Sequence, residues 1–153
     1  LSALAPPSSL LRLIEKAGPF EHGKYQNHKA LTSAELRKIN FNVLAFLFSG
    51  LYYFAKGMPR KAFIVLGGGW LFAAVVTVLE AMFNFTAPNS IFWIAPGAAV
   101  AGLANRDYYL KMVHDKHMWE PLAVFENLAA AIAFALFSFG VLFASIVWAL
   151  PAA

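Results

Sequence analysis

The chain contains no cysteine. That absence excludes disulfides, thiolate metal sites and a cysteine nucleophile. Charge is also scarce. Only 13% of the 153 residues are Asp, Glu, Lys or Arg, against about 25% in a typical soluble domain. The charge that exists avoids two long runs. Ala62 to Phe83 contains one acid, Glu80, and no base; Leu122 to Leu150 contains one acid, Glu126, and no base. A helix needs about 20 consecutive apolar residues to cross a bilayer, so both runs are long enough. Hydrophobic residues make up 60% of the chain, above the roughly 45–50% of soluble domains. The composition therefore argues for membrane and against a water-soluble core.

The formal charge of +4 can signal nucleic acid. Here loops bearing Lys and Arg on the cytoplasmic side of a membrane explain it better, so no nucleic-acid partner is expected. Residues 1–40 read as a cytoplasmic segment with short amphipathic helices. One is expected from about Ser9 to Ala17, and its apolar residues are too few and too interrupted by Arg12, Glu15 and Lys16 for a signal-peptide core. A second is expected after Thr32, where Thr32 and Glu35 have capping-box spacing. Phe20 to Ala30 reads as loop.

Residues 41–153 read as a transmembrane domain. Phe41 to Ala55 is apolar but short; as a helix it reaches about 22 Å, less than the roughly 30 Å hydrocarbon core. Arg37 and Lys38 precede it, and Lys56, Arg60 and Lys61 follow it. Two positive flanks place both ends on the cytoplasmic side, which favours a re-entrant or interfacial 41–55, with a short true span as the alternative. Spans are expected at 62–83, 91–113 and 122–150. Pro96 is expected to kink the second, and Pro121 suits the first turn of the third. The loop Asn84 to Ser90 is uncharged, as an outer loop should be. The expected fold is an all-α membrane protein: three transmembrane helices in a small bundle, preceded by a re-entrant or interfacial hydrophobic hairpin and a short amphipathic N-terminal region. The N-terminus is cytoplasmic and the C-terminus periplasmic.

Few residues offer chemistry. Gly67, Gly68 and Gly69 lack the Lys and Ser or Thr of a phosphate-binding loop. With Gly102 and Gly140 they read as helix-packing positions, where small residues let backbones approach. Glu80, Glu126 and Asn127 are the intramembrane polar candidates, though Glu80 and Glu126 sit near opposite faces and cannot share one site. His114, His117 and Glu120 follow one another at i, i+3 and i+6, so one continuous helix would align them. Such a set is a candidate zinc site, set against the plainer reading of a solvated loop. Lys56, Arg60 and Lys61 are candidates for lipid headgroups. No catalytic residue and no cofactor is implied.

One stretch, INFNVLAFLFSGLYYFAKGMPRKAFIVLG, carries a family pattern. Phe41, Asn42, Ala45, Phe46, Phe48, Tyr52, Tyr53, Lys56, Gly57 and Met58 supply the first part, and Ala104-Asn105-Arg106-Asp107-Tyr108-Tyr109 a second. Over about residues 38–116 the chain resembles an uncharacterised family of small bacterial membrane proteins, catalogued as domain of unknown function 2628. It departs at Ser49-Gly50, where the family often has Gly-Pro, and at Pro59, where an aromatic is common. The resemblance implies a bacterial inner-membrane protein and supplies no active-site residue.

The expected role is non-enzymatic. The protein would act by contact with lipid, with other membrane subunits or with itself, as accessory subunit or scaffold of a membrane assembly. An immunity protein against a membrane-targeting toxin and a small transporter or channel component are the alternatives.

Overall fold

The computed structural model describes residues 8–21 and 24–150. His22 and the tail Pro151 to Ala153 lie outside them. The fold is helical. Its extended pairing among the described residues is one short antiparallel pair, β1 (Phe20–Glu21) with β2 (Lys24–Tyr25). The helices are α1 (Ser8–Ala17), α2 (Ser33–Asn40), α3 (Val43–Phe48), α4 (Gly50–Ala55), α5 (Pro59–Phe83), α6 (Ile91–His114) and α7 (Leu128–Ala149). A 3-10 turn at His28–Ala30 precedes α2, and a 3-10 segment at Glu120–Glu126 precedes α7.

Local chemistry sets the boundaries. Thr32 caps α2 through a complete capping box: the Glu35 amide donates to the Thr32 hydroxyl, and the Thr32 amide donates to the Glu35 carboxylate. Each group satisfies an orphan donor of the first turn. Asn42 and Asn127 cap α3 and α7 by accepting the amides of Ala45 and Ala129. Pro59 sits in the first turn of α5, where its missing N–H costs nothing. α6 continues as one helix through Pro96.

Between α3 and α4 the chain breaks at Ser49, with φ 46° and ψ −119°. These angles belong to the first central position of a type II′ turn, which favours glycine. α3 packs on α6 and α4 on α5, so the apolar run 41–55 is two short helices held by different neighbours. Each reaches about 9 Å at 1.5 Å per residue. Gly97 makes the α3–α6 contact possible: a Cβ there would lie 2.6 Å from the Phe46 carbonyl oxygen. Gly50 does the same for α4, since a Cβ would meet Leu66 at 2.7 Å.

α5 packs mainly against α7. Both are long and apolar enough to cross a membrane, yet only 28% and 22% of their most apolar stretches are buried inside the molecule. A core helix of a soluble protein would be covered. Here Leu136, Phe137, Phe143 and Trp148 are all more than 60% exposed. The hydroxyls inside α7 are satisfied within the helix, Ser138 donating to Phe134 O and Ser145 to Leu142 O; a helix in hydrocarbon requires this of its polar groups.

The structure corrects the expected third span. Residues 122–150 are not one helix: Glu120–Glu126 is 3-10 with a non-helical Leu122, and α7 starts only after the Asn127 cap. Pro121 therefore lies in the 3-10 segment.

Candidate functional site

Three polar layers along α6 fix the α3–α4 hairpin. In the first, Asn42 donates its amide N–H to the α6 carbonyl of Ala101 at 3.1 Å. Its carboxamide donates to Asn105 Oδ1 at 2.7 Å and to the Tyr52 hydroxyl at 3.0 Å. Asn105 in turn donates to the Lys38 carbonyl at 3.0 Å. In the second, Tyr53 of α4, Lys61 of α5 and Trp119 of the loop after α6 all converge on Asp107. Lys61 Nζ and Trp119 Nε1 each donate to Asp107 Oδ1 at 2.8 Å, and the Tyr53 hydroxyl donates to Oδ2. In the third, Lys111 Nζ donates to the carbonyls of Lys56 and Gly57 at 2.7 and 3.0 Å, closing the end of α4. Ala101, Asn105 and Tyr108 are spaced i, i+4 and i+7, one helix face, with Asp107 and Lys111 beside it.

The second layer is the centre of the site. Asp107 and Lys61 are each 1% exposed and Tyr53 is 0% exposed. The Lys61 ammonium also lies 5.1 Å from the centre of the Trp119 ring. Two charges can be buried only if paired and hydrogen-bonded, and both conditions are met. Among the described residues no buried side-chain N or O atom lacks a partner. Around the knot pack Ala45, Tyr52, Met58, Ala62, Val100, Ala104 and Tyr108. Asn42, Ala45, Tyr52, Tyr53, Lys56 and Met58 thus meet Asn105, Asp107 and Tyr108: two stretches far apart in the sequence form one site.

Beside it runs an apolar groove of about 350 Å³ between α5 and α6, whose lining includes Gly68, Gly69, Pro96 and Ala99, with Tyr53 and Trp119 at one end. The buried pair is an interlock of α4, α5, α6 and the following loop.

Of the sequence candidates, Lys61 and Lys56 reach this site and most of the others fall elsewhere. Lys61 is corrected: as the buried partner of Asp107 it cannot reach a headgroup. Lys56 lies 4.9 Å over the Tyr108 ring. Arg60 lines a cleft with His117 and Leu128. Glu80 accepts the Ala87 amide at 2.6 Å and so fixes the 84–90 loop. Glu126 is exposed in the 3-10 segment, outside α7, and Asn127 is the α7 cap. The His114, His117 and Glu120 stripe is also corrected. α6 ends at His114, and Asp115 turns left-handed at φ 51°, so no common helix carries the three. His114 meets the Tyr109 ring edge-on, His117 contacts Asp115 and Glu120 accepts from Lys116. Among the described residues no three His, Asp or Glu side chains gather in a metal-binding group.

The glycines divide. A Cβ at Gly67 would meet the Phe134 ring at 2.7 Å, so Gly67 is a packing position against α7. A Cβ on Gly102 would have only an ordinary 3.9 Å contact, and at Gly68, Gly69 and Gly140 it would meet nothing within 4 Å. Within one chain those three bring no helices together.

Asp107 is absent from the sequence candidates because the sign of a charge does not reveal its burial. A signal for it lies in the sequence: Asp107 and Lys111 stand at i, i+4 inside the expected span 91–113.

Comparison with protein-family models, with curated proteins and with solved structures finds no match to this chain.

Proposed function

We propose that this is a bacterial inner-membrane protein whose α5, α6 and α7 cross the bilayer while α3 and α4 form a re-entrant hairpin, and that it works by contact as an accessory subunit or scaffold. The family resemblance is part of this proposal. The observation that carries it is the exposure of the two most apolar helices. A surface of Leu, Phe, Val and Trp on this scale requires an apolar neighbour, either lipid or another membrane subunit. The Lys61–Asp107 knot supports the reading by anchoring the hairpin to two of the spans.

Two measurements test it. The chain has no cysteine, so single cysteines report topology directly. Ser33→Cys and Lys116→Cys should react only from the cytoplasmic side, and Asn89→Cys only from the periplasmic side. Labelling of Asn89→Cys from the cytoplasm would remove the three-span arrangement. Extraction in mild detergent followed by native mass measurement tests the role. A lone monomer without co-purifying subunit would count against the accessory-subunit reading.

A further inference from the structure

Lys61 is buried and Lys56 lies over the Tyr108 ring, which leaves Arg60 as the cluster's remaining cation for a headgroup. The structure offers another. α1 and α2 enclose a groove of about 440 Å³ whose charged lining is Arg12, Lys16, Lys38 and Glu35 around Leu13, Ala34 and Ser9. The three cations are exposed. The single carboxylate is already engaged by the Thr32 amide and hydroxyl and by Lys16, 3.5 Å away. Arg12 and Lys16 stand at i, i+4, a spacing at which like charges destabilise a helix. An anion in the groove would reverse that repulsion.

Depth identifies the anion. Asn105 donates to the Lys38 carbonyl, so Lys38 sits level with Asn105. Asn105 is about 21 Å along the α6 axis from Ile91, within the span of a hydrocarbon core of roughly 30 Å plus its headgroups. The chain then passes from Lys38 to Phe41, Val43 and Leu44, which are 45%, 59% and 57% exposed. The cationic groove is therefore continuous with an apolar face at the level of one leaflet.

We propose that the α1–α2 groove binds the phosphate headgroups of anionic phospholipid in the cytoplasmic leaflet, through Arg12, Lys16 and Lys38. This rests on α6 crossing the membrane. The bound group is a phosphate anion on a lipid; free phosphate shares its chemistry and is separated by the test.

The full chain is reconstituted in nanodiscs of pure phosphatidylcholine or pure phosphatidylglycerol, and acylation rates of individual lysines are read by mass spectrometry. Lys16 and Lys38 should react at least about fivefold more slowly in phosphatidylglycerol, as expected for one contact per charge at a leaflet surface. Exposed Lys29, outside the groove, serves as reference. Protection should fall at about 1 M salt, and Arg12→Gln should weaken it at Lys16. Equal rates in both lipids, or equal slowing of Lys29, would overturn the proposal. So would protection by inorganic phosphate in phosphatidylcholine discs, which would assign the groove to a free anion, or protection there by a soluble acidic peptide. Flotation of the protein with both lipids, checked first, separates this outcome from failure of the membrane reading, in which the protein would float with neither.

Discussion

Asp107 receives three hydrogen bonds from three different parts of the chain. Removing its charge leaves the Lys61 ammonium buried and unpaired. Asp107→Asn should therefore cost about 3–5 kcal/mol of stability. Replacing both charges, with Lys61→Met and Asp107→Leu together, should recover most of that loss, because a packed apolar pair avoids the desolvation of two ions. Unfolding in detergent, followed by helical circular dichroism, measures both. If the double variant is as unstable as Asp107→Asn, the pair is not simply a neutralised charge, and Tyr53 and Trp119 hold more of the interlock than Lys61 does. Ser49 gives a second residue-scale prediction. Its left-handed φ is strained for a side chain, so Ser49→Gly should stabilise by about 1 kcal/mol, whereas Ser49→Val should destabilise and release α3 from α4.

At the scale of elements, two glycines of similar appearance should behave differently. Gly97→Ala forces a methyl against the Phe46 carbonyl and should cost about 1–3 kcal/mol by pushing α3 off α6. Gly68→Ala, in open space, should be neutral or slightly stabilising through helix propensity. The α2 cap should respond to pH. The Thr32 amide, then its hydroxyl, then Lys16 hold Glu35 below the ordinary carboxylate value. Its folded pKa is thus lowered. The cap's contribution is fully present above the unfolded carboxylate value and is lost as pH falls through the lower folded one. The protection of α2 amides against hydrogen exchange, taken relative to the intrinsic rate at each pH, should fall at acid pH, and Glu35→Gln should abolish that fall. These elements also mark what the sequence disclosed. The Thr32–Glu35 box depends on neighbours along the chain, and spacing reveals it. The knot depends on Tyr53 and Lys61 meeting Asp107 from 54 and 46 positions away. A count of charge signs has no access to such a pairing and points Lys61 outward to lipid. Small-residue spacing has the same blindness: it identifies Gly67 and Gly140 alike, while only the fold shows which one faces a neighbour.

At the scale of the whole molecule, the issue is what covers α5 and α7. Exposed apolar helices are compatible with a bilayer or with a partner in water, and one substitution separates the two by sign. Phe137 lies near the middle of α7 and is 67% exposed. If that surface meets water or a loose partner, Phe137→Lys is a surface change, neutral within about 0.5 kcal/mol and favourable to solubility. If it faces hydrocarbon, a lysine near the helix centre costs about 2.5–3.5 kcal/mol of insertion. Val124 is the control, because it is equally exposed at 70% but lies in the 3-10 segment before the Asn127 cap. The membrane arrangement predicts that Phe137→Lys lowers the alkaline-carbonate-resistant fraction of the protein, while Val124→Lys leaves it unchanged. A soluble assembly predicts no resistant fraction for any variant. Equal loss from both substitutions would move the membrane boundary into the 3-10 segment and return Glu126 to hydrocarbon depth, where an exposed acid without a partner would require its own explanation.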